Sequence, residues 1–194
     1  KYPRRGKKSF VKDGKPYGKL KEHIGSLPVV IITPDDVKLL LGGSIDRRSF
    51  VDNTLCQIDT KYLDSLTIYN HILKQKSSLL KSENINHEIL DIYDQQLIEH
   101  GHIIHSLRSE FFESFSPVVA KYYEQIADYR EDVSVRYTSQ LNDNTLAQLL
   151  KSNRSKEVIV QRCLYGIHKD DMELLMTDRP VKAYASQGQR KSLL

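Results

Sequence analysis

YASQGQRKSLL (Tyr184–Leu194) reads as the beginning of a helix. Ser186 is a strong N-cap residue, and Gln189 stands three places on, where a capping box wants Glu or Gln. Gly188 lets a ligand approach the backbone closely, and Arg190 and Lys191 add positive charge. Unpaired N–H groups, a hydroxyl and the helix dipole together make an anion site, most usefully for phosphate. Such starts also occur as plain caps, so the rest of the chain has to decide what this one is for.

The other parts of a phosphate machinery are not in this stretch of sequence. None of the nine glycines sits in a G-x-x-x-x-G-K-[ST] loop, so no lysine is placed to reach a γ-phosphate. No apolar strand ends in a metal-binding Asp followed by a catalytic Glu. The chain as given is therefore expected not to hydrolyse ATP alone. It has no initiator Met, and its last four residues have mid-helix character, so it reads as an internal piece of something longer.

Its 194 residues suit one domain, or one domain with an inserted arm. At 39% hydrophobic and 28% charged residues it can bury a core and stay in solution. No run of 18 or more apolar residues exists to span a membrane, and no apolar signal core follows the polybasic start. Cys56 and Cys163 lack metal-ligand spacing and suit a reduced, cytoplasmic compartment. The first 22 residues hold nine Lys or Arg against Asp13 and Glu22, a balance of +7 that leaves −3 for the other 172. That end reads either as a footprint for nucleic acid or phosphate, or as a solvated edge hairpin kept soluble by lysine.

The pattern along the chain predicts mixed α and β structure. Asp13-Gly14 signals a hairpin within residues 8–17, and Val29–Ile32 reads as a buried strand. Thr33 can cap a helix with Pro34 at its first position and Asp35 and Asp36 in its first turn, and Gly42-Gly43 ends it. Ser44 caps a second helix, and a third runs from about Tyr62 to Lys81. After Asn84, Ile89, Tyr93, Leu97, His100, Ile104, Leu107 and Phe111 mark one face of a long helix, which Pro117 should kink or restart near Ser116. The helices between about 60 and 127 make an antiparallel arm. Val133, Val135 and Tyr137 alternate as in a half-buried strand. Two short helices at about 143–153 and 155–165 follow, then a hairpin turning at Asp178-Arg179-Pro180.

Other candidate chemistry is better read as structure. Asp35-Asp36 and Asp170-Asp171 could bind Mg²⁺ or work as acid and base. The first pair, however, satisfies helix-start rules, and the second sits beside Lys169 as a salt bridge would. In HGHIIH, His100 and His102 are about 200° apart on a helix and cannot share a face. His102 and His105 could, but they lack a third ligand, so no metal site is expected. Phe111, Phe112, Phe115, Tyr122 and Tyr123 read as packing rather than as stacking platforms.

Several stretches in this order resemble the RecF family of bacterial DNA replication and repair proteins. They are VVIITPDDVKLLLGGSIDRRSFVDNTL, ILDIYDQQLIEHG with the Arg108, Phe111 and Phe112 that follow it, YGIHKDDMELLM, and YASQGQRKSLL. The resemblance runs from about Lys7 to the end, with Ile167 standing where the family often has Pro. RecF is similar to the heads of SMC-type and ABC-type ATPases. The resemblance implies that Ser186, Gln187, Gly188, Gln189 and Arg190 are the signature motif, which contacts the terminal phosphates of ATP held on the loop of a second subunit. It places Pro34, Asp35 and Asp36, with Ile32, in a Q-loop-like segment near the metal and the attacking water. Asp46–Asp52 resembles the segment leading into the arm.

The expected fold is then a mixed α/β part of an ABC/SMC-like ATPase head, with antiparallel hairpins and an inserted antiparallel helical arm. Residues 1–43 would be the β-rich part of the head, 44–129 the arm, and 130–194 the return to the head. The implied parent is a weak, cytoplasmic ATPase that dimerises on ATP and Mg and binds DNA at gaps or junctions, working with RecO and RecR. Arg4, Arg5, Lys7 and Lys8 are candidate phosphate contacts. No cofactor is expected for this piece alone. The competing readings are a non-enzymatic helical interaction module and the head of a nuclease-associated ABC-type ATPase.

Overall fold

The computed structural model describes residues 11–12, 14–16, 18, 23–31, 33–127 and 131–193. Strands β1 (Val11–Lys12) and β2 (Lys15–Pro16) pair antiparallel around Gly14, as the hairpin signal predicts; Asp13 lies outside the described residues. Val29, Val30 and Ile31 are not a strand and are exposed, at 56%, 87% and 76%. A strand needs a neighbour to take its N–H and C=O groups, and no described strand runs beside this segment. Its recorded anchor is Val29 N–H donating to Gln57 Oε1 at 2.9 Å.

Helices supply most of the mass. A 3-10 turn (Pro34–Val37) runs into α1 (Lys38–Leu41). Then come α2 (Ser44–Ile58) and α3 (Thr60–Leu79), the latter capped by Asp59, whose Oδ1 accepts from Tyr62 N–H at 2.9 Å. The cap of α2 is Gly43 rather than Ser44, because Asp46 accepts from Gly43 N–H at 3.2 Å and closes the turn one residue earlier.

Helix α4 (His87–Ile126) is 40 residues long and starts at Asn86, whose side chain accepts from Ile89 N–H at 3.1 Å. It runs through Pro117 without restarting. Proline removes one N–H there, but Pro117 and Glu113, whose carbonyl loses the bond, are both exposed, so water can take the freed acceptor. Pairs between α3 and α4 run in opposite senses: Tyr62 with Arg108, Tyr69 with Gly101, Lys76 with Asp94. The antiparallel arm is therefore present.

The buried line of α4 is Leu90, Asp94, Leu97, Gly101, Ile104, Arg108 and Phe112. It keeps Leu97 and Ile104 of the apolar set and lies one residue on from Ile89, Tyr93, His100, Leu107 and Phe111. Hydrophobic periodicity misplaces the face because three positions on it carry two charges and a glycine. Gly101 is there for room: a Cβ would lie 2.9 Å from Leu146 Cδ2 and 3.3 Å from a Tyr69 ring carbon.

Strand β3 (Val133–Thr138) has Val133 and Val135 buried, as its alternation predicts. Residues 146–160 form one helix, α5 (Leu146–Val160), instead of two short ones. Thr145 and Gln148 make a capping box at its start. Asn153 does not break it, because its Nδ2 donates back to Leu149 O at 2.9 Å. Strand β4 (Asp171–Met176) pairs with β3 on one side and with β5 (Arg179–Pro180) on the other, all antiparallel. The hairpin turns at Thr177-Asp178, earlier than expected, with φ of 48° and 61°. Two positive φ values make the tight turn whose twist suits a hairpin. The chain then forms α6 (Val181–Tyr184) and α7 (Gln187–Ser192). The main core joins α2, α3, α4, α5 and the sheet around Leu55, Tyr69, Ile104 and Leu150.

His168 lies against this core. Its Nε2 is 3.3 Å from Cys163 O and its Nδ1 3.0 Å from Tyr69 Oη. A carbonyl can only accept, so Nε2 carries the proton and Nδ1 accepts from the tyrosine. Burial pushes the imidazole pKa down to about 4. The unfolded chain, with an ordinary value near ~6.5, therefore binds the extra proton first. Stability should be complete above that value and decline by about 2–3 kcal/mol as pH falls toward 4. Urea titrations across that window should show a smaller loss in His168→Gln than in wild type.

Candidate functional site

Helix α7 begins as its sequence indicates. Ser186 Oγ accepts from Gln189 N–H at 3.2 Å, and Gln189 Oε1 accepts from Ser186 N–H at 2.6 Å. The hydroxyl is used here as an acceptor, so its own proton is left to donate outward. Ser186, Gln187 and Gly188 are exposed, and first-turn N–H groups have no acceptor within their helix. The end presented to solvent is thus rich in donors.

The same turn is held from behind. Gln189 Nε2 donates to Glu131 Oε1, while Glu131 Oε2 accepts from Tyr123 Oη at 3.1 Å. Tyr123 is buried, and burial together with the Glu131 carboxylate pushes its phenol up to about 12. Ala185 and Leu193 pack into a second core with Leu40, Tyr123, Val133, Met176 and Val181. Arg190 is half-buried, with Nη2 3.5 Å from Lys182 O. The exposed cap is therefore rigidly backed by the end of α4. Glu131 was not legible as its anchor, since nothing local links residue 131 to 189.

Around Pro34 the carboxylates do capping work. Asp36 Oδ2 accepts from Thr33 N–H at 2.5 Å and from Thr33 Oγ1 at 3.1 Å. Asp35 pairs with Lys38 at 3.2 Å on the open surface, a contact of little energy. Asp36 and Leu193 line one apolar cavity of about 250 Å³ with Val30, Ile31, Leu39 and Phe50. The fold thus brings the 34–36 segment next to the far end of α7. Arg4, Arg5, Lys7, Lys8 and Ile32 lie outside the described residues. Among the described residues no His, Cys, Asp or Glu group is arranged to hold a metal.

No family model matches the chain. The DNA replication and repair protein RecF of Cytophaga hutchinsonii is 38% identical over 192 residues, which cover 97% of this chain and 51% of that protein. The chain is similar to RecF along nearly its whole length. Two solved structures of the recombination mediator protein RecF, described as RecF-ATPrS and RecF-ATP in the RecFOR pathway, superpose with TM-scores of 0.90 and 0.88. Their identities are 24% and 25%. They cover 99% and 97% of this chain, which in turn covers 55% and 53% of theirs. The mixed α/β fold is therefore the ABC ATPase-like fold of RecF. The chain spans about half the length of the curated relatives it matches.

Two of the stretches that carry the RecF resemblance meet in space, through a residue the spacing did not single out as central. Arg108 is 2% exposed. Its Nε donates to Tyr62 Oη at 2.9 Å, its Nη1 to Ile167 O at 2.9 Å and Asp170 Oδ2 at 2.7 Å, and its Nη2 to Asp52 Oδ1 at 2.8 Å. Burial opposes the charge, but the Tyr62 and Tyr137 oxygens with Asp52 and Asp170 outweigh it and raise the guanidinium pKa. Asp170 also accepts from Tyr137 Oη at 2.5 Å and Ser139 Oγ at 2.7 Å. Arg48 donates to Asp170 O at 2.6 Å, and Arg47 forks onto Asp171 at 2.7 and 2.8 Å. The Asp46–Asp52 and Gly166–Met176 stretches are thereby clamped together. Asp170 and Asp171 have a salt-bridge role as expected, with Arg108 and Arg47 as partners instead of the neighbouring Lys169. The signal available for Arg108 was its place four residues from both Ile104 and Phe112.

The remaining candidates are structural. His105 Nε2 is 3.1 Å from Asn142 Oδ1, and His102 is exposed. Phe111 stacks on Phe115 with centroids 4.9 Å apart, and Phe112 on Tyr137 at 5.0 Å. Tyr123 is buried, whereas Tyr122 is 60% exposed. No helix among the described residues is long and apolar enough to cross a membrane.

Proposed function

We propose that this chain is part of an ATP-controlled DNA-binding protein of recombinational repair, and that Ser186–Arg190 closes on ATP held by a second subunit. The observation that carries the reading is the α7 start itself: an exposed, donor-rich cap, backed by Glu131, in a chain similar to RecF over 97% of its length. The solved relatives are RecF-ATPrS and RecF-ATP structures of the RecFOR pathway.

The Ser186 hydroxyl and the first-turn N–H groups suit the charge that develops on a transferring phosphoryl group. They cannot cleave ATP alone, so the second subunit supplies the phosphate loop and Mg. Pro34, Asp35 and Asp36 belong on this reading to the segment beside the metal and attacking water. Residues 1–43 and 130–194 act as head and 44–129 as arm. DNA at gaps or junctions, RecO and RecR are the partners, in the cytoplasm, where the free thiols of Cys56 and Cys163 stay reduced.

Light scattering on the full-length protein tests this. With Mg-ATP, wild type should double in mass while Ser186→Arg stays monomeric yet binds a fluorescent ATP analogue as well as wild type does. Equal dimerisation of the variant would reduce the motif to a helix cap.

A further inference from the structure

Helix α5 differs from the arm in the sign of its outer surface. Between Leu146 and Arg162 the single carboxylate is Glu157, which is buried and paired with Lys76 at 2.6 Å. The outward side carries Lys151 and Lys156 with Ser152 and Ser155 between them, and Arg162 follows just past the last turn, all exposed. Lys151, Lys156 and Arg162 make no ion pair among the described residues. Asp91 and Asp94 share a groove with Lys151, but both are taken by Arg154, at 2.5 and 2.7 Å. The exposed side of α4 is the reverse, with Glu88, Asp91, Glu99, Glu110, Glu113 and Glu124 against Lys121.

We propose that the outer face of α5 is a contact surface for the phosphate backbone of DNA. The inference rests on the DNA-binding reading above and adds the surface that does it. From Lys151 to Val160 the helix runs about 14 Å, the axial rise of about four phosphates of one strand. Cations at both edges with serine hydroxyls between them match a row of phosphate oxygens, which accept from lysine, arginine and serine alike. Nothing on this face reads bases. Ile159, 80% exposed, and Val160, 42% exposed, are the apolar interruptions.

The test is fluorescence anisotropy of the full-length protein on gapped duplexes of two unrelated sequences, between about 50 and 200 mM salt. Wild type is compared with Lys151→Gln/Lys156→Gln/Arg162→Gln, and Lys121→Gln serves as a control on the acidic face. The triple variant should flatten the slope of log affinity against log salt by about 2–3, equally on both sequences, with Lys121→Gln unchanged. An unchanged slope in a triple variant that melts like wild type overturns the inference while leaving the DNA-binding reading intact, and turns the face toward an acidic protein surface. A wild type that binds neither duplex overturns both.

Discussion

Arg108→Met should lower stability by about 3–5 kcal/mol, the usual cost of removing one partner from a buried ion pair. The methionine fills much of the volume, so what is lost is charge and hydrogen bonding. The Asp170 carboxylate, in a residue 1% exposed, would be left with the Tyr137 and Ser139 hydroxyls but no cation bonded to it, since Arg48 reaches only the backbone carbonyl. Asp52 and the Ile167 carbonyl would each lose a donor. In a chain of this size the melting point should fall by roughly 10 °C, and urea unfolding should show the same loss at an unchanged m-value. Arg108→Lys should recover little, because an ammonium on a thinner stem cannot serve four acceptors laid out for a planar fork. A loss below about 1 kcal/mol for the methionine variant would mean that the clamp contributes shape and not energy.

Gly166→Ala should cost about 3–4 kcal/mol through two separable causes. The residue sits at φ 128°, ψ 178°, a region that only glycine enters freely and that costs other residues about 1–3 kcal/mol. An added Cβ would also lie 2.3 Å from Tyr69 Oη. That hydroxyl is fully buried and held by His168, so it cannot swing aside. Tyr69→Phe removes the obstacle, since the next atoms in reach are His168 ring atoms at 3.3 and 3.4 Å. The double variant should therefore be about 1–2 kcal/mol more stable than the two single losses added together. Strict additivity in urea titrations would show that the backbone conformation alone sets the cost.

Local chemistry was legible in the sequence wherever one turn decides the outcome. The caps at Thr33 and Ser186, the Gly14 hairpin and the alternation of β3 all stand where residue types place them. Reading failed where the deciding partner is far along the chain. The buried side of α4 holds Asp94 and Arg108, acceptable only because Lys76, Asp52 and Asp170 arrive from other elements. Val29–Ile31 has the composition of a strand but no ladder beside it. At the candidate site, Ser186 and Gln189 were readable as a capping pair. Glu131, which holds that pair in place, is 58 residues from Gln189 and leaves no periodic trace.

Helix α4 is also a lever. Its 40 residues span about 60 Å without a break. Near one end, Tyr123 and Glu131 tie it to the cap of α7; at the other, Asn86 begins the far turn of the arm. A tilt of about 5° at the α7 end displaces the far end by about 5 Å over that length. The rod has one weakened joint, Pro117, where a backbone bond is missing on the solvent side. The clamp at Arg108 lies on the far side of that joint from Tyr123. The β3–β4 pair spans the joint, with Tyr137 and Asp170 at the Arg108 clamp and Val133 and Met176 in the core around Tyr123. The sheet therefore splints the rod where the proline weakens it and makes arm, clamp and cap move together.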